Sequence, residues 1–189
     1  MEKTKYGYVM DKRVNYREVI KKELDMLQFN NLKKSGYDAV VVLSAEEVRV
    51  DGENGQRIDV AIKYLLSSRS HSPLIFLGTV EHIKNLEAYI QEMNYKITIL
   101  FPSRRKYEST WTQIKSLVKF LERHSFDNLL IISHTYHIPR ISRYCKKYIK
   151  NASYDFYPVG RPVDQEDKIE EEIDKIFRYA EKGDLPLLI

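Results

Sequence analysis

Short, continuously apolar runs recur along this chain, separated by longer segments whose apolar residues repeat every three or four positions. In the first run, Asp38 to Leu43, the core Ala39-Val40-Val41-Val42-Leu43 has no polar alternation, which predicts a strand covered on both faces. Pro73 to Leu77, Ile97 to Phe101, Asn128 to Ile132 and the shorter Ser153 to Tyr157 predict four more strands. The intervening segments carry helical stripes: Ile58, Ala61, Ile62, Leu65 and Leu66; then Ile83, Leu86, Ile90 and Met93; then Trp111, Ile114, Leu117, Val118 and Leu121; then Ile138, Ile141, Cys145 and Tyr148. A leading helix over 14–34 presents Ile20, Leu24 and Leu27 and stops at Ser35-Gly36, and a closing helix built on Ile169, Ile173, Ile176, Phe177 and Ala180 stops at Gly183. Regular alternation of strand and helix predicts an α/β architecture. Its sheet is mainly parallel, of about five strands, and right-handed crossovers place helices on both faces. The chain reads as one domain, 1–189, with a leading helix (1–36), a core (38–162) and a closing helix (164–183).

Ligands of such sheets bind beyond the carboxyl ends of the strands, so the loops there hold the candidate chemistry. The first offers Ser44, Ala45, Glu46 and Glu47, with Arg57 on the helix that follows. It has no Gly-x-Gly-x-x-Gly, which argues against an NAD or FAD site, and no Walker-type lysine loop exists. The second offers Gly78, Thr79, Glu81 and His82, and further on Glu87, a carboxylate within an apolar stripe. An unpaired buried ion costs several kcal/mol, so Glu87 is expected to have a partner: Arg57, Arg140 or a backbone N–H. The third carries Arg104-Arg105-Lys106 and then a helix start at Ser109 or Thr110, with Gln113 three residues beyond Thr110 in capping-box spacing.

The fourth, Ser133-His134-Thr135-Tyr136-His137-Ile138-Pro139-Arg140, reads as strand, polar loop and helix N-terminus. It sets imidazoles, hydroxyls and a guanidinium beside unpaired N–H groups at the positive end of a helix dipole, which suits an anion. Two histidines with Glu81 or Glu87 would be a metal set by residue type, but no HExxH-like spacing supports one.

Composition narrows the field. The net charge of +4 comes from 31 Lys+Arg against 27 Asp+Glu, spread along 189 residues without a long basic tract, so nucleic-acid binding is not indicated. The single cysteine, Cys145, excludes an intrachain disulfide and a cysteine–zinc cluster, and predicts a reducing cytoplasm. No window approaches the roughly 18–20 apolar residues needed to cross a bilayer, and the N-terminus has no apolar signal-like run.

With these loops in view, the chain resembles the YdcF/SanA-like family, a bacterial domain-of-unknown-function family. The matching residues occur in the family's order: Val40-Val41-Val42-Leu43, Arg57, Gly78, Glu87-Ala88, Thr110, and Tyr136-His137-Ile138-Pro139-Arg140. They span roughly residues 38 to 150. The resemblance implies a Rossmann-like fold and a nucleotide-like or methyl-donor ligand such as S-adenosylmethionine at the strand ends. Ser44-Ala45 stands where relatives carry glycines, and Thr112-Gln113 replaces a Glu-Asn pair.

The resulting expectation is a small-molecule site. Arg57 and Arg140 hold an anionic group; His137 transfers a proton and Glu87 orients its neighbours; Ser44 and Thr110 donate hydroxyl bonds. Gly78, Thr79, Gln113 and His134 complete the ligand contacts. Group transfer or phosphoester hydrolysis suits this set. A non-catalytic ligand-binding regulator stays open, as does, less favourably, nucleic-acid binding through Arg104-Arg105-Lys106, Tyr107 and Trp111.

Overall fold

A computed structural model describes residues 16–24, 36–45, 52–68, 71–106 and 108–186. Five strands, β1 (Ala39–Leu43), β2 (Leu74–Leu77), β3 (Ile99–Leu100), β4 (Asn128–His134) and β5 (Ser153–Val159), form one sheet in the order β3-β2-β1-β4-β5. Every pairing is parallel. The described helices are α1 (16–24), α2 (Glu53–Ser67), α3 (Val80–Glu92), α4 (Thr110–Leu121), α5 (Ile138–Tyr148) and α6 (Glu166–Glu181).

Because side chains alternate along a strand, β1 feeds two cores. Val40 and Val42 pack with Ile58 and Ile62 of α2 and Ile83 and Leu86 of α3. Ala39, Val41 and Leu43 pack on the opposite face with Ile114 and Leu117 of α4 and Ile141 and Cys145 of α5. The unbroken apolar run of β1 is therefore explained by burial on both sides, and the result is the predicted three-layer Rossmann-like fold.

A third cluster lies apart from the sheet. Tyr16, Ile20 and Leu24 of α1 pack against Ile169, Ile173, Ile176 and Phe177 of α6, with Tyr136 alongside. Arg143 of α5, fully buried, ties α1 down by hydrogen bonds to Tyr16 and Glu23. The predicted leading helix is seen only over 16–24; Leu27 and the rest of 14–34 lie outside the described residues.

Several boundaries differ from the pattern. β4 runs two residues further than the apolar run, because Ser133 and His134 pair in register with Pro158 and Val159 of β5. β3 is only two residues long, at the sheet edge where one neighbour is missing. Leu66 and Met93 are exposed: each sits just off its stripe. Gly78 ends β2 in a tight place, where a Cβ would lie 2.7 Å from Phe76 Cε1, 3.0 Å from His82 Cβ and 3.2 Å from Ser44 Cβ. Gly78→Ala is therefore expected to destabilise the protein by about 1–3 kcal/mol, measurable as a lowered urea midpoint; unchanged stability would show that β2 and α3 shift apart freely.

Candidate functional site

Strand order reverses at β1: the chain steps outward to β2 and β3, then returns to place β4 and β5 on the other side. The crevice between the carboxyl ends of β1 and β4 is the position where this topology binds ligands. A cleft of about 620 Å³ opens there, within the usual range for small-molecule sites. Its floor comes from Ser44 and His137, one side from the start of α4, and the other from α6 through Lys168, Glu172 and Lys175.

His137 sits in the 3-10 turn Thr135–His137 that joins β4 to α5, 5% exposed. Its Nε2 lies 3.1 Å from Thr110 Oγ1 and its Nδ1 3.2 Å from Ser133 Oγ. Burial, and then the nearby charges of Arg140 and Arg57, hold its pKa well below the ordinary imidazole value. His137 is therefore a neutral ring held between two hydroxyls, of which Thr110 borders the cleft.

Behind the floor lies a charged network centred on Arg57, which is 1% exposed. Arg57 donates through Nε to His134 Nδ1 at 2.8 Å and through Nη1 to the Leu43 carbonyl at 2.7 Å, and its Nη2 is 3.5 Å from Glu53. Since Nδ1 of His134 accepts, its proton is on Nε2, which donates to Gln56 Oε1 at 3.0 Å. Burial and the Arg57 charge press the His134 pKa down to about 4. Burial works against ionising Glu53, but hydrogen bonds from Lys168 and from Tyr136 Oη outweigh it and hold its carboxyl below the usual range. Burial, and then the hydrogen bond to the same carboxylate, push the Tyr136 phenol up.

Arg140 is likewise engaged. Its Nε and Nη2 form a two-point bridge to Glu172 of α6 at 2.5 and 3.1 Å, and Lys175 adds a third bond to that carboxylate at 3.0 Å. The two arginines expected to clamp an anion are thus already paired, Arg57 with every nitrogen engaged and Arg140 with only Nη1 uncommitted among the described residues. Glu53 and Glu172 went unread in the sequence. Glu53 opens a charged helix, where nothing in the spacing separates a pairing carboxylate from a solvated one; Glu172 stands at helical spacing between Ile169 and Ile176 and lies on the buried side of α6.

Gln113 reaches across the cleft floor from α4: its Nε2 donates to Ser44 Oγ at 2.9 Å and to the Leu77 carbonyl at 3.2 Å. It is not part of a capping box with Thr110. Ser109 is the N-cap, and Thr112 at the third helical position completes the box. Thr79 also lines the cleft and caps α3, its box closed by His82.

Three expectations require correction. Glu87 is exposed on α3 and outside the cleft, because Ile83, Leu86 and Ile90 take the sheet-facing positions and turn residue 87 outward; the α3 glutamate that borders the cleft is Glu81. Gly78 and His134 do not line the cleft: Gly78 is a packing position, and His134 supports Arg57 one layer behind. Trp111, expected inward, is 37% exposed, with Lys115 Nζ 4.0 Å above its ring. Ser44, Arg57, Thr79, Thr110, Gln113, His137 and Arg140 all border the cleft, whereas Glu46, Glu47 and Tyr107 lie outside the described residues.

Five carboxylates and five Lys or Arg side chains line the cleft, so it is charge-balanced rather than basic. No group of three or more His, Cys, Asp or Glu side chains among the described residues is placed to hold a metal. No described helix is long and apolar enough to cross a membrane. No family model matches the chain, and no solved structure matches it. The chain is similar to an uncharacterized protein of Rickettsia conorii, 22% identical over 125 residues that cover 66% of this chain and 71% of that protein.

Proposed function

We propose that the chain is a YdcF/SanA-like protein of the cytoplasm that binds an anionic, nucleotide-like small molecule, with S-adenosylmethionine among the candidates, in the cleft above β1 and β4. The observation that carries this reading is the cleft itself, about 620 Å³ at the strand-order reversal, bordered by Ser44, Thr110, Gln113, His137 and Arg140. The donors it offers an anion include Nη1 of Arg140 and the Thr110 and Trp111 amides at the positive end of α4, the Thr112 amide being taken by Ser109. In group transfer or phosphoester hydrolysis, Thr110 would pass a proton to the bare nitrogen of His137.

A non-catalytic regulator is the second reading. One observation favours it: His137 is enclosed, and burial depresses its basicity, far from the near-neutral poise of an efficient general base. Calorimetric titration with S-adenosylmethionine, adenosine monophosphate and sugar phosphates tests the first reading. Heat with at least one ligand is expected, weakened about tenfold or more in Arg140→Gln, the equivalent of about 1.4 kcal/mol. No heat with any of them would sink it. Product formation that disappears in His137→Asn would exclude the regulator, and binding without turnover would favour it.

A further inference from the structure

The start of α4 carries two hydrogen-bond acceptors that the fold does not use. Ser109 and Thr112 satisfy each other as N-cap and third residue, so the cap makes no demand on their neighbours. Glu108 precedes the cap and Gln113 is the fourth helical residue, the two positions whose side chains meet across a helix start and which ordinarily hold an apolar staple. Here both are polar, and both line the same cleft.

Gln113 is 4% exposed. Its amide orientation is fixed, because the Leu77 carbonyl can only accept and must face Nε2. Oε1 is thereby directed elsewhere and accepts no hydrogen bond among the described residues. Glu108 takes a hydrogen bond from Ser103 on Oε1, while its buried Oε2 accepts none. Ser44 Oγ, which receives the Gln113 bond, keeps its own proton to donate.

We propose that this corner of the cleft, between the end of β1 and the start of α4, is a subsite for a neutral sugar diol, with Glu108 Oε2 and Gln113 Oε1 accepting from two neighbouring hydroxyls and Ser44 donating to a sugar oxygen. Glu108 Oε2 is buried without a donor and Gln113 Oε1 takes none from a described residue, so together they suit a ligand rich in donors. An ammonium group would also supply them, but the positive end of the α4 dipole lies beside this corner and disfavours a cation. Burial raises the Glu108 pKa, opposed by the Ser103 hydrogen bond and then by the Arg105 charge. The subsite rests on the proposed function only for the rest of the ligand.

The test is a titration of the isotopically labelled full chain, followed by the Gln113 side-chain amide and the Thr110 and Trp111 backbone amides in NMR spectra. Methyl β-D-ribofuranoside is expected to shift all three. Its 2,3-dideoxy counterpart should need about tenfold or more higher concentration, because a site built to bond hydroxyls rejects the analogue lacking them. In Glu108→Gln the new amide can donate to Gln113 Oε1, and the preference for the diol is expected to vanish while the spectrum stays dispersed. Equal shifts by both ribosides, no shift by either, or shifts by methylammonium instead would overturn the subsite. Inorganic phosphate and ribose 5-phosphate separate this from the broader reading. Phosphate shifts of the Thr110 and Trp111 amides without diol preference would leave anion binding and remove the subsite, whereas riboside shifts without any phosphate response would do the reverse.

Discussion

Replacing Arg57 by methionine is expected to lower the stability of the protein by about 3–5 kcal/mol, the range for removing one partner of a buried ion pair. Methionine can follow the aliphatic stem, so packing is largely kept and the loss is polar. The Leu43 carbonyl and His134 Nδ1, bonded by Arg57 at 2.7 and 2.8 Å, would lose their charged donor. Glu53 would lose the neighbouring guanidinium at 3.5 Å. Lysine is expected to rescue little, because one ammonium on a flexible stem does not reproduce the fork that serves all three groups. The control is Arg161→Met: Arg161 is 80% exposed in its pair with Asp164, and its loss should stay within about 0.5 kcal/mol. Urea unfolding distinguishes the two, as a lower midpoint at unchanged slope for Arg57→Met. A loss no larger than that of Arg161→Met would mean that the network does not hold β1 to β4. Since Leu43 and His134 end those strands, ligand binding in the cleft should fall with stability.

The parts of this arrangement that were legible in the sequence are those written in the backbone period. β1 announces itself because five consecutive apolar residues have no solvent face, and the place of the cleft follows from parallel topology once the strands are assigned. Thr110, His137 and Arg140 were found because each sits at a helix start following a strand. The failures have a different cause. Glu87 lies four residues from Ile83, close enough in helical angle to look like part of the stripe, but the sheet contacts only the narrower arc of Ile83, Leu86 and Ile90. The counter-ion Glu53 could not be chosen among many exposed glutamates, whereas Glu172 lies within the apolar stripe of its helix as Glu87 does and is the one that is buried; the roles of both depend on α6 crossing the β4–α5 turn. That crossing is a tertiary fact with no local signature. Gln113 carries two readings in the sequence, capping residue and ligand contact; its bonds to Leu77 and Ser44 remove the first and leave it bordering the cleft.

Acid should weaken this protein at a pH where its carboxylates are still ionised. In the unfolded chain His134 and His137 take up protons near the ordinary imidazole value of about 6.5, whereas the fold holds His134 down to about 4 and His137 well below its usual value. The unfolded state therefore binds more protons over that window, and stability falls as pH drops. Above about 6.5 both states are neutral and the two residues leave stability independent of pH. Below it each contributes a slope of up to about 1.4 kcal/mol per pH unit, and for His134 the loss is complete near its folded value, amounting to about 2–3 kcal/mol after allowance for partial solvent screening. Glu53, depressed in the fold, has the same sign but enters later: its stabilisation is present above the ordinary carboxylate range and is lost only as pH falls through its folded value. Urea midpoints between pH 8 and pH 5 isolate the histidines from it. A decline beginning near pH 6.5, reduced by about half in His134→Gln, is the expected result. Glutamine keeps an acceptor for Arg57 but has no proton to gain, so it would separate titration from hydrogen bonding. Stability that stays flat to pH 5 would mean that both rings accept protons in the folded protein, and would remove the picture of a neutral His137 held between Thr110 and Ser133.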